Sequence, residues 1–232
     1  MFFYDYRYLM FMLPAFLIMM LVQWYVSSAY NRWSRVQARS HISGAEAAKR
    51  LIQYAGLYDV QIEGVQGRLS DHYDPRSKVL RLSRGVYEGT SIASLAIAAH
   101  ELGHAVQDQE DYLPLRFRAA IVPMVNIGSY LGWILILIGM LLQISGLAWL
   151  GVLVFSGGAL FALATLPVEL DASARARRLL QETGIIVGEE EMRGVSNVLN
   201  AAALTYVAAL ITAIMQLLYW VTFVLGMGGR RR

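Results

Sequence analysis

The chain has 232 residues, 56% of them hydrophobic and only 16% charged, and a mean hydropathy of +0.45, which excludes an ordinary soluble domain. It contains no cysteine, so disulfides and thiolate metal sites are excluded as well. The net charge is only +3, and the arginines gather beside apolar runs instead of forming a nucleic-acid-binding stripe.

Residues 8–31, 119–168 and 194–229 carry no Asp, Glu, Lys or Arg. A membrane-crossing helix needs roughly 20 apolar residues, so these stretches predict four spans. The first covers Tyr8–Val26. It is read as a retained anchor and not as a cleaved signal peptide, because Met1–Arg7 has one Arg against one Asp and Arg32, Arg35 and Arg39 follow at once. Residues 30–118 form the one long polar stretch, a candidate water-exposed domain. Within it Ser43-Gly44-Ala45-Glu46 is a capping box opening a helix that ends near Gly56. Alternation about Val60 and Ile62 predicts a strand, Ser70–Pro75 a turn, and Val79–Ser83 a second strand taken as a sheet edge. A helix capped by Thr90 or Ser91 follows. The second and third spans are placed at Ala120–Leu142 and Leu147–Leu166, with a turn at Gln143–Gly146. Pro167 is expected to break the helix, with a fresh one from Val168 to a stop at Gly184. Glu189-Glu190-Glu191 starts a further short helix before the fourth span, Leu199–Leu225, the acidic triplet serving only the helix N-terminus. The expected fold is an α-helical membrane protein with a small α+β domain, divided at 1–29, 30–118, 119–166, 167–198 and 199–232.

The helix after Ser91 contains His100-Glu101-Leu102-Gly103-His104. Two histidines four apart on a helix point from one face and can grip one zinc ion. The glutamate after the first lies beside that metal, where a general base is needed. A catalytic zinc takes three protein ligands and leaves a position for water. No third histidine follows at short spacing, so a carboxylate from another helix is required. Glu169 is the candidate, because two spans separate it from His104 and return it to the same side of the membrane. Asp171 is the alternative, although its side chain leaves a helix on nearly the opposite side. His72, between two aspartates in the predicted turn, is a candidate for stabilising an oxyanion or for a structural role. His41 is read as a surface residue. The glycines at 128, 132 and 139 and the pair at 157 and 158 suit close helix contacts.

The segments Asp71-His72-Tyr73-Asp74-Pro75, Ser91–Gln107, Glu169-Leu170-Asp171-Ala172-Ser173 and Asn200–Leu210 together resemble the membrane-embedded neutral zinc metallopeptidases of the YugP type and, more distantly, the gluzincins. The resemblance implies a zincin-like catalytic domain. It implies one zinc per chain held by His100, His104 and Glu169, with Glu101 as the base. It departs at Ser173, where gluzincins often carry an aspartate that partners a ligand histidine, leaving that role to Asp171 or another carboxylate.

The resulting expectation is a multi-pass zinc endopeptidase, in the cell membrane, acting on peptide or membrane-protein substrates. The competing expectation is a non-catalytic membrane protein with a structural or regulatory zinc site, which would have no need of Glu101. Arg32, Arg35, Arg39, Arg116, Arg118, Arg175, Arg177, Arg178 and Arg193 flank the catalytic side, against Arg7 and Arg230-Arg231-Arg232 opposite. The positive-inside rule then places the site in the cytoplasm and, with four spans, both chain ends outside.

Overall fold

A computed structural model describes residues 6–67 and 70–228; the arginines at 230–232 lie outside the described residues. Eight helices and three strands occur among the described residues. They are α1 Tyr6–Trp33, α2 Gly44–Ala55, β1 Gln61–Val65, β2 His72–Asp74, β3 Val79–Ser83, α3 Arg84–Tyr87, α4 Ile92–Gln109, α5 Leu113–Leu141, α6 Ser145–Phe155, α7 Gly157–Glu182 and α8 Glu189–Gly228. Among the described residues, four helical stretches are long and apolar enough to cross a membrane: Tyr6–Trp33, Leu113–Leu141, Ser145–Glu182 and Glu189–Met227. The chain divides into two compact units, one of residues 6–22, 116–166 and 205–228, the other of residues 23–115 and 167–204.

The first unit is entirely helical. Small residues let its helices approach closely. A Cβ on Gly132 would lie 2.7 Å from the Phe155 backbone nitrogen, one on Gly139 2.5 Å from that of Ala148, and one on Gly151 2.6 Å from that of Ile136. Packing of this kind, with dispersion contacts between close backbones, is what holds helices together where lipid replaces water. A cluster of Ile136, Ala148, Val152, Tyr219, Trp220 and Val224 is buried here.

The second unit is α+β. The Ser43 side chain accepts from the Glu46 N–H at the start of α2, and Gly56, at φ 69°, ends the helix with its N–H on the Gln53 and Ile52 carbonyls. Both caps were legible in the sequence. The inward face of α2, Ala47, Ala48, Leu51 and Ile52, joins Leu80, Leu82 and the Leu95–Leu102 face of α4 in one apolar core. Ser91, not Thr90, caps α4, accepting from the Ser94 N–H at 3.1 Å.

The sheet order is β1-β3-β2, with β1 parallel and β2 antiparallel to β3. Two expectations are corrected by this. His72–Asp74 is a strand and not part of a turn, and β3 is central and not an edge. Val79, Leu80 and Leu82 are buried, which a central strand covered on both faces requires. Carboxylates hold β2 in place. Asp71 accepts from the Ser83 N–H at 2.7 Å and its hydroxyl at 3.0 Å, while Asp74 accepts from Ser77, the Arg76 N–H and Arg81. The Ser77 hydroxyl, then Arg76 and Arg81, hold the Asp74 carboxyl well below the usual carboxylate range.

Pro167 does not break the chain's path: α7 runs through it from Gly157 to Glu182. Proline removes one i→i−4 bond, a loss that a packed helix can absorb. The interruption falls instead at Ser156, which keeps helical angles (φ −60°, ψ −17°) and turns its hydroxyl onto the Leu153 carbonyl at 2.6 Å. A serine beside two glycines is a common place for a helix irregularity. The short helix expected at residue 189 is likewise one with the fourth span, as α8. Its acidic triplet has a further use. Glu191 is buried and accepts from the Arg39 and Val187 backbone N–H groups at 2.7 and 3.0 Å.

Candidate metal centre

Both histidines of the motif lie on α4, one turn apart, with ring centroids 5.0 Å from each other. Glu169 comes from α7 and is 2% exposed. Its Oε2 is 3.3 Å from His100 Nε2 and 3.5 Å from His104 Nε2. The three side chains offer ligand atoms within 4.8 Å of one another. The donor set can be tested against zinc. Tetrahedral ligands at roughly 2.0–2.1 Å from the ion are separated from one another by about 3.3–3.5 Å. The two nitrogen–oxygen separations have that size, and two imidazole nitrogens plus one carboxylate oxygen are donors that zinc accepts. The residues therefore fit the ion.

Close approach of α4 and α7 makes this convergence possible, and Gly103 permits it. A Cβ at Gly103 would lie 2.6 Å from the Ala172 carbonyl oxygen. The two helices thus touch backbone to backbone between His100 and His104, with Glu169 one turn before Ala172 and Ser173 just after it.

Further polar side chains surround the cluster. His100 Nδ1 is 3.2 Å from Ser173 Oγ, so the residue at which the gluzincin resemblance departs does contact His100, as a hydroxyl. His104 Nδ1 is 3.0 Å from Gln107 Oε1. Gln107 was not singled out in the sequence, although its place three residues after His104 puts it on the same helical face. Asp171 stands outside the cluster, accepting from Gln107 at 2.8 Å and Arg175 at 2.5 Å. Arg175 also reaches Glu110, at 2.6 Å. Glu101 is half-buried on α4. Burial opposes protonation of His104, but the bond to Glu169 and the charges of Glu101 and Glu169 outweigh it and push the imidazole pKa up.

His72 is exposed on β2, its Nδ1 2.9 Å from the Ser70 carbonyl, and it is not in the cluster. Its neighbour Tyr73 donates to Asp108 Oδ2 at 2.9 Å, and Lys78 reaches the same oxygen at 2.6 Å, tying β2 and the start of β3 to α4. Burial and this carboxylate push the Tyr73 hydroxyl pKa well up, so it stays a donor.

The family described as "Putative neutral zinc metallopeptidase" matches residues 8–225. The chain belongs to this family. Among curated relatives, "Putative membrane protease YugP" of Bacillus subtilis (strain 168) is 47% identical over 199 residues, covering 86% of this chain and 88% of the relative. No solved structure matches the chain. Membership of a zinc metallopeptidase family agrees with the chemistry of the cluster, and the four apolar helices make this member a multi-pass membrane protein.

Proposed function

We propose that the chain is a membrane-embedded zinc endopeptidase with a zincin-like catalytic domain. His100 Nε2, His104 Nε2 and Glu169 would hold the metal, and Glu101 would be the general base. The observation carrying this is the convergence of two Nε2 atoms and one buried carboxylate oxygen at separations suited to one tetrahedral ion, beside a glutamate that is not a ligand. When bound, zinc lowers the pKa of a coordinated water towards about 7 and polarises the scissile carbonyl. Glu101 takes the proton of the attacking water onto its carboxylate and hands it to the leaving amine nitrogen. Glu169, already ionised, keeps the ligand set anionic.

Substrate alignment belongs to β2 in this reading, in place of Val79–Ser83. The central strand has no open edge, whereas β2 pairs on one side only, with β3. A substrate backbone adding to its other edge would run beside α4, to which Tyr73 and Asp108 tie the strand. Digestion of casein by the detergent-purified protein tests the activity. Stripping the metal with a chelator should abolish digestion and added zinc should restore it; digestion that survives complete removal of metal would overturn the reading.

The nine arginines flanking the catalytic segments support a cytoplasmic site in the cell membrane. Single cysteines in this cysteine-free chain test it. Tyr58 is 82% exposed and Lys49 is exposed on α2. Tyr58→Cys and Lys49→Cys should resist an impermeant thiol reagent in intact cells and react after permeabilisation. Labelling of both before permeabilisation would reverse the orientation.

A further inference from the structure

Gln107 is fully buried, at 0% exposure, and every polar atom of its side chain is engaged. Its Nε2 donates to the Val168 carbonyl and to Asp171 Oδ2, both at 2.8 Å. Its Oε1 lies 3.0 Å from His104 Nδ1. Amide oxygen and nitrogen are told apart by their partners. A carbonyl and a carboxylate can only accept, so the Gln107 nitrogen must face them and its oxygen must face His104. An amide oxygen can only accept in turn, so His104 Nδ1 must carry the proton. Its Nε2, 3.5 Å from Glu169 Oε2, is then the nitrogen that would give up its proton and turn a lone pair to the metal.

We infer that Gln107 is the positioning residue of the metal centre: it fixes the tautomer and ring orientation of His104 and ties α4 to α7 beside Glu169. The inference rests on the reading of the cluster as a zinc site. Among the described residues nothing equivalent fixes His100, because the Ser173 hydroxyl can donate or accept. Asp171 acts at one remove. Its charge is matched by Arg175, so the group that meets the ligand histidine is neutral. Val168 adjoins Glu169 in sequence, so one amide holds both a ligand ring and the backbone next to the carboxylate ligand.

Outer partners of ligand histidines typically contribute 10–100-fold to metal affinity. The test is zinc affinity by chelator competition on the full-length protein in detergent. Gln107→Met, similar in volume but without the bonds, should bind zinc roughly 10–100-fold more weakly. Gln107→Glu keeps the acceptor for His104 but sets a buried carboxylate against Asp171, so it is paired with Asp171→Asn, which returns a donor at that contact; the double variant Gln107→Glu/Asp171→Asn should bind zinc more tightly than Gln107→Met. In the cobalt-loaded parent, proton NMR should show a strongly shifted His104 Nδ1–H resonance that resists deuterium exchange. This readout needs no variant to fold. Unchanged affinity in Gln107→Met, equal losses in both variants, or a rapidly exchanging His104 N–H would each overturn the inference while the parent still binds zinc. A parent that binds no zinc would overturn the zinc-site reading as well.

Discussion

The Glu101→Gln protein is expected to fold, to carry one zinc per chain, and to lose casein hydrolysis by at least about 10²-fold, the usual contribution of a positioned general base. The substitution keeps the size and hydrogen-bonding reach of the side chain but removes its ability to take a proton. Glu101 is absent from the group of side chains that can hold a metal, so metal content should not fall with activity. Parent-level hydrolysis in this variant would refute the mechanism. A parallel loss of zinc would make Glu101 a ligand and open the centre to the competing structural reading.

The second large effect is expected at Glu169. Its carboxylate is almost fully buried between two imidazoles. Removing it takes away one of the three side chains grouped to hold a metal, and no other described carboxylate belongs to that group. Glu169→Ala should therefore purify with little zinc and no activity. Asp171 cannot substitute for it, because its carboxylate is engaged by Gln107 and Arg175.

The sequence exposed the parts of this molecule that depend on short-range pattern. The three charge-free stretches gave the four apolar helices, Ser43 and Gly56 gave both ends of α2, and the i, i+4 histidines gave two of the three clustered side chains. Glu169 needed a topological step, counting two spans between it and His104, and the structure does bring the three together. Long-range contact was not readable. Nothing local marks Val79–Ser83 as central, because its partner β2 lies in a segment whose Asp and Pro residues look like a turn. Those same aspartates, Asp71 and Asp74, are what hold β2 on its neighbour. Proline at 167 is read locally as a stop, yet the packed helix passes through it. Gln107 and Ser173 carry no signal alone; they acquire a role only when Gly103 lets α7 come against α4.

Zinc K-edge absorption by the purified parent, set against the Glu169→Ala protein, measures the central claim most directly. The expected parent spectrum has two imidazole nitrogens at about 2.0–2.1 Å, one carboxylate oxygen at about 2.0–2.2 Å and one exchangeable oxygen from solvent, the open position of a catalytic site. The expected variant spectrum is weak or lacks the carboxylate shell. A parent whose four positions are all filled by protein ligands, or whose spectrum is unchanged by loss of Glu169, would contradict the account.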